Sequence, residues 1–570
     1  VTRHLFRRPG KRLRAAVGAI ACTIALSSCA SIPLSGPVQT GAKVLSAENE
    51  ERLYYPASPM PGMSPVDLVS GFVDAGTGTA DNYRVSREYL SQDAGSAWDP
   101  TASTIVVTDA PTYEAIGEDT VRATFDVVAT IDEHGRYTEV APSKTMQRDY
   151  RVGRVGDQWR ITEAPHGTVL LQQNFENIFR DFTLFFLDGD ERFLVPEVRW
   201  FPSRSTAPTR LVQALLAGPS SWLTEAGVKT MFPPGTKLLG PVIPESGTAP
   251  VNFSQTISGA TGSTFSLMKL QLDRTLEQVT SIATVDMLVN SAKIEVSAPG
   301  PDTVIAQSQV GTLPLAVRNG EIGFLSGDTL TPAPATNGLS YVLPGLKPRA
   351  GAVATRAGVS AFLTPEGVVA VQNQSGAIVP LDPRTDLLSP IIGPSGFVAT
   401  LTPTSATMRV SNPLDGYGTE IAIPQVGQTR IVSAAFSRSG TVIAIAIERG
   451  NHAAVVIAAV GRDPQTRRPI ALGQPKVIDV EHPRAVDLTW VDGTTLALLA
   501  ADASGETEVI MHQVGGATTR TGALDGGVAI EGSSTPAGLR VLGQGGQVFV
   551  PRGNQWQPSG GTVEFFVAQV

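Results

Sequence analysis

From about Val304 to Val570 the chain carries no convincing helical periodicity and is dense in short apolar runs cut by Gly, Pro, Asp and Ser. Related phrases recur there: "GVSAFLTPEGVVAVQNQSGAIVPL" near 358, "PSGFVATLTPTSATMRVSNP" near 394, "SAAFSRSGTVIAIAIERGNHAAVVIAAV" near 433, "DLTWVDGTTLALLAADASGETEVIMHQV" near 487 and "TPAGLRVLGQGGQVFVPRGNQWQPSGG" near 535. Each sets an apolar strand, a tight turn and a second apolar strand in order. The intervals of about 36 to 54 residues bracket the length of a four-stranded propeller blade. Sheets repeated around an axis leave few open edges, which suits a chain this rich in strands. Residues 304–570 are therefore expected to form a β-propeller of five to seven blades, six fitting best, with "LPLAVRNGEIGFLSGD" near 313 in the first. A pair of β-sandwiches is the alternative.

The opposite end has another character. Arg3, Arg7, Arg8, Lys11, Arg12 and Arg14 form a basic head without acids, and Ala15 to Leu26 follow as an apolar run. About twelve apolar residues are too few to cross a bilayer core of roughly 30 Å as a helix. A basic head, a short apolar core and a small-residue boundary make a secretory signal peptide, residues 1–28. Leu26-Ser27-Ser28-Cys29 matches the bacterial lipobox. That resemblance implies cleavage between Ser28 and Cys29, a diacylglycerol thioether on Cys29, and acylation of its new amino group. Several acyl chains, at about 0.8 kcal/mol per buried methylene, give stable attachment to the cell membrane on its extracytoplasmic face. Cys22 leaves with the leader, so Cys29 is the one mature cysteine and no intrachain disulfide is expected. Residues 29–62, rich in Pro, Ser and Gly, read as a flexible tether.

Removing the leader takes six of 44 basic residues and leaves 38 against 52 acidic, a net charge of −14. Such a chain has no general attraction for phosphate backbones, which argues against nucleic acid as a partner. Roughly 540 mature residues exceed one core and call for several domains.

Residues 63–170 read as an α+β unit. Ser64 caps a helix with Pro65 at its first position and Val66, Val69 and Val73 on one face, with Gly76 as stop. A short second helix is expected over "DNYRVSREYLS". Strands follow, including "TVRATFDVVATID", whose apolar residues alternate from Val121 to Ile131, and a hairpin "MQRDYRVGRVGDQWRITEAP". Two helices followed by a curled antiparallel sheet resemble the NTF2-like cone. Residues 174–300 begin with strands around a tight "DGD" turn. The helix "APTRLVQALLAGP" pairs Leu211 with Leu215 and Val212 with Leu216, and a longer helix covers "TFSLMKLQLDRTLEQVTSI" before the strand "ATVDMLVN". "LLAGP", "PPGTKLLG" and the Leu-rich helix before a Val-rich strand resemble a GerMN domain, a binding module. One departure stands out: "APVNFSQTIS" lies where that resemblance implies an acidic strand.

In this order, lipobox, tether, NTF2-like unit, GerMN domain and propeller resemble the LpqB lipoproteins of actinobacteria. The resemblance implies a partner, the extracellular part of the histidine kinase MtrB in a two-component system that adjusts envelope and division behaviour. It makes the chain an accessory binding protein, with cell-wall components as further partners. The alternative is an envelope glycan or peptide hydrolase, or a binder, using the propeller face.

No catalytic constellation is expected, and no cofactor or metal. His134, His166, His452, His482 and His512 show no ligand-pair spacing. "DGDER" at 188–192 departs from an EF-hand loop and reads as a charged hairpin tip. No serine sits in a strand-to-helix elbow. Propeller enzymes gather carboxylates at their channel, and Asp382, Asp386, Asp487 and Asp492 are the acids to watch, although solvated loop acids are the simpler reading. Phe185, Phe186, Trp159, Trp490 and Trp556 read as sheet anchors in the core. Trp200 and Trp222, beside prolines and glycine, stand either as core or as exposed anchors for a partner.

Overall fold

Helix α1 (Pro65–Ala75) starts as its sequence requires: the Ser64 hydroxyl accepts from the Asp67 N–H at 3.2 Å and donates to the Asp67 carboxylate at 2.6 Å. This computed structural model describes residues 55–570 apart from 204–205, 298, 301–303, 305–309, 312 and 425–428. The leader, the Ser28–Cys29 cleavage site and the lipidation at Cys29 lie outside the described residues.

Helices α2 (Arg84–Glu88) and α3 (Gln92–Ala97) join α1 against a sheet of β1 (Ser103–Val107), β2 (Thr112–Ala115), β3 (Thr120–Asp132), β4 (Tyr137–Val155), β5 (Gln158–Glu163) and β6 (Thr168–Leu171). The order is β5-β4-β3-β1-β6, with β2 also on β3. Strict alternation in β3 buries Val121, Ala123, Phe125, Val127, Ala129 and Ile131. Register shifts between Val127 and Ala129 in the β3–β4 pair and between Arg151 and Val152 in the β4–β5 pair break the flat ladder, as bulges do. The expected all-antiparallel sheet needs one correction, because β1 and β6 pair parallel. The tether also ends earlier than residue 62: the Tyr89 hydroxyl donates to the Ala57 carbonyl at 2.8 Å and fixes that stretch to the domain. The interior is filled by Phe72, Trp98, Tyr150 and aliphatic neighbours, with edge-on rings at 5.1 and 5.9 Å.

Helix α4 (Gln172–Ile178) links to the second unit, in which β7 (Phe179–Leu187) and β8 (Leu194–Pro202) form a hairpin. Helices α5 (Ala207–Ala217), α6 (Ser221–Thr224) and α7 (Gly262–Leu276) follow, with β9 (Thr248–Phe253), β10 (Thr284–Val289) and β11 (Ala292–Ile294). β9 and β10 pair parallel, so "APVNFSQTIS" does supply a strand, but without acids. Leu211, Val212 and Leu215 are fully buried, as their spacing predicts.

The remaining strands form six radial blades in five sheets, because Gly351–Val353 pairs parallel with Val567–Gln569 and joins two blades into one eight-stranded sheet. Their innermost strands are Phe565–Gln569, Ala350–Ala354, Ile391–Ile392, Arg430–Phe436, Arg484–Trp490 and Gly527–Glu531, for blades I to VI, and each neighbours the next around a closed ring. Phe565–Gln569 pairs with Leu315–Arg318, so blade I is built from both ends of the domain. The ring excludes the sandwich alternative. A second correction concerns helix content: within residues 304–570, where no helix is expected, Leu339–Leu346 is helical and buries Leu339 and Leu343 one turn apart despite Pro344 inside it.

Candidate functional site

The ring encloses a lumen of about 390 Å³. Three successive inner strands carry a bulge at the same place. In blade IV, Val432 stands unpaired between Ile431 and Ser433; in blade V, Val486 between Ala485 and Asp487; in blade VI, Val528 between Gly527 and Ala529. A bulge re-aims the side chains that follow it. Here the extra residue is each time a valine that lines the lumen, and in blade V the next residue is Asp487.

Asp487 is enclosed by protein yet faces the lumen. Its carboxylate accepts from the Ser433 hydroxyl at 2.7 Å and from the N–H groups of Ile530 and Leu488 at 2.9 Å. Burial pushes its pKa above the usual carboxylate value against the pull of those three donors. One layer deeper is Glu531, only 6% exposed, with an Oε1 that has no hydrogen-bond partner. Burial is the main cause raising its pKa to about 7; Asp487 adds to it and Arg438 opposes it.

Arg438 closes this end. It leaves the turn after the blade IV inner strand and donates to the carbonyls of Trp490 at 3.1 Å, Ser533 at 3.0 Å and Gln569. One guanidinium thus ties together blades V, VI and I, a fixed fork of donors that lysine does not offer. At the other end stand Arg349 and Glu564.

Of the acids marked in the sequence, Asp487 alone reaches the lumen. Asp382 ends an outer strand of blade II, where Arg384 at 2.6 Å and Thr400 at 2.6 Å help hold its pKa low despite burial. Asp386 lies exposed in the connection to blade III. Asp492 caps a turn, accepting from the N–H groups of Thr494 at 2.7 Å and Thr495 at 2.8 Å. Glu531 and Arg438 were not marked. Their only signal is placement at the end of an inner strand, which cannot be read before the ring is closed.

"DGDER" is a joint within the molecule. Asp188 accepts from the N–H groups of Arg192 and Phe193, both at 2.8 Å, while Asp190 pairs with Arg467 of blade IV at 3.1 Å. The tryptophans do not serve as exposed anchors either, and that expectation is corrected. Trp200 stacks on Phe175 at 5.2 Å and Tyr137 at 5.6 Å and donates its indole N–H to Gly515 of blade V at 2.9 Å. Trp222 receives the Lys476 ammonium over its ring at 4.5 Å. Beside this second seam, Glu197 and Arg199 form a buried ion pair of 2.5 Å, and Glu197 also accepts from the N–H and hydroxyl of Ser220.

His512, on blade V near these seams, bonds Thr518 at 2.9 Å. Burial, with help from Lys476, lowers its pKa to about 4. Among the described residues no group of His, Cys, Asp and Glu is arranged to hold a metal ion, and no helix is long and apolar enough to cross a membrane.

An N-terminal α+β domain, a GerMN-like domain and a six-bladed propeller around an acid-floored lumen define a three-domain protein. Family models match in the same order: the lipoprotein LpqB N-terminal domain over residues 58–176, the sporulation and spore germination domain over 183–295, and the lipoprotein LpqB β-propeller domain over 324–564. The chain belongs to the LpqB lipoprotein family. Lipoprotein LpqB of Cutibacterium acnes is 26% identical, over 88% of this chain and 89% of that protein. Lipoprotein LpqB of Thermobifida fusca is 28% identical, over 52% of this chain and 49% of its own length. Among solved structures, the first GerMN domain of the Bacillus subtilis sporulation protein GerM aligns with 21% identity, 22% of this chain, 96% of its own and a TM-score of 0.18.

Proposed function

We propose that this chain is a lipid-anchored accessory binding protein on the extracytoplasmic face of the cell membrane, presenting its folded body to an MtrB-type sensor kinase and so modulating envelope and division signalling. Family membership supports the anchored location, together with the lipobox at Cys29. The observation that carries the binding role is the way the three domains are joined. The tryptophans, the "DGDER" tip and the ion pair are spent on internal seams, so the domains form one body suited to docking as a unit. Of the four acids considered for the hydrolase alternative Asp487 alone lines the lumen, held by three hydrogen bonds; Glu531 and Glu564 also line it, and their presence keeps that alternative as the second reading.

Recovery of the kinase with this protein from detergent-solubilised membranes tests the reading. The native chain is expected to bring down the kinase, and Cys29→Ala to leave an unprocessed or soluble product that brings down little. Full kinase recovery with Cys29→Ala refutes the anchor's role; none with the native chain refutes the partnership.

A further inference from the structure

The lumen combines two features that the kinase reading does not use. Val432, Val486 and Val528 form an apolar collar on three neighbouring bulges, and Val528 is 43% exposed into the opening. Below the collar lies an acidic floor. Arg438 does not neutralise that floor by direct pairing, because its hydrogen bonds go to three backbone carbonyls. With both carboxylates ionised, Asp487 and Glu531 against Arg438 leave one net negative charge; Oε1 of the largely buried Glu531 is an unpartnered acceptor, and Nε of Arg438 an unpartnered donor beside it. Leaving such an acceptor unpaired costs about 1–3 kcal/mol, more when charged, unless a ligand completes it.

We propose that the propeller lumen binds a small ligand with a protonated amine on an apolar body, the ammonium resting between Glu531 and Asp487 and the hydrocarbon within the valine collar. A carboxylate ligand would meet net negative charge at the floor. A divalent metal ion would lack a third protein carboxylate or imidazole. An ammonium supplies the missing donor and the missing charge together. The charged groups facing Glu531 are Arg438 from the turn after the blade IV strand and Asp487 from blade V; Arg349 and Glu564 stand at the far opening.

Because burial holds the Glu531 carboxyl near pKa 7, an ammonium pairs with it only after its proton leaves. Affinity therefore rises with pH, by about tenfold between pH 6 and 8 for one group titrating at that midpoint. Calorimetric titration of the full chain with 1-aminopentane, with 1-pentanol as the isosteric neutral control, tests this. The amine is expected to bind at least tenfold more tightly than the alcohol and to tighten about tenfold from pH 6 to 8. Glu531→Gln is expected to weaken the amine by about tenfold and to flatten the pH response. Equal affinity for amine and alcohol, a flat pH response in the native chain, unaltered binding by folded Glu531→Gln, or no binding at millimolar amine each overturns the proposal. Should Glu531→Gln fail to fold, the alcohol comparison and the native pH profile decide. None of these results bears on kinase recovery, so the two readings fail separately.

Discussion

Arg199 is 1% exposed, and two of its nitrogens, Nε and Nη2, have no partner, so its one close charge, Glu197, carries the compensation for burying it. Burying two ions costs several kcal/mol each, and their attraction offsets this only while both are present. Arg199→Met should therefore cost about 3–5 kcal/mol, since Glu197 is left buried without its ion-pair partner. Adding Glu197→Gln should recover most of that loss, because the paired charges themselves contribute little net stability. Urea unfolding of the two variants checks this, and a double variant no more stable than Arg199→Met would refute it. The residue scale is also where sequence reading is weakest. Trp200 and Trp222 were legible as aromatic residues beside helix and strand breakers, a setting shared by core, seam and docking anchor. What separates these is whether another domain of the same chain covers the ring.

The turn between β3 and β4 shows how an element becomes a joint. Gly135 has φ +77°, and a Cβ there would lie 2.7 Å from a Phe201 ring carbon and 2.9 Å from the Trp200 carbonyl. Its own carbonyl accepts from the Trp200 N–H at 2.7 Å, so the turn of the first domain docks on β8 of the second. Gly135→Ala meets both a disfavoured backbone angle and a clash with chain that has little room to move. A loss of about 2 kcal/mol or more is expected, read as a lower melting temperature with faster proteolysis between residues 165 and 180. Unchanged proteolysis would show that this turn does not hold the seam. Glycine serves positive φ, so "EHG" between two strand patterns is legible as a turn, but nothing local to it shows what the turn touches. The helix Leu339–Leu346 is illegible in the sequence for a related reason. Pro344 and Gly345 signal a break locally, yet burial of Leu339 and Leu343 against blade I outweighs that preference.

At the scale of the molecule, one apolar cluster runs from the second domain, through Leu184, Phe186, Leu211 and Leu272, into Val442, Ile457, Leu488 and Trp490 of blades IV and V. A continuous core makes separate unfolding of its parts unfavourable, because either part would expose a shared face to water. Tryptophan fluorescence and far-ultraviolet dichroism are expected to report one coincident thermal transition for this region, and an excised propeller to melt at least 5 °C lower. Two resolved transitions in the intact chain would refute the shared core.

Alternation in β3, the Ser64 cap, the i, i+4 leucines and the recurring strand phrases were local properties, and each fixed its element without reference to the rest of the chain. Domain order was equally legible, because each module keeps its own periodicity. Ring closure, the acid-floored lumen and the seams were decided only in three dimensions. They depend on residues such as Arg438, whose partners Trp490, Ser533 and Gln569 lie 52, 95 and 131 positions away, and Trp200, whose partner Gly515 lies 315 away; these become neighbours only after six blades close on one another.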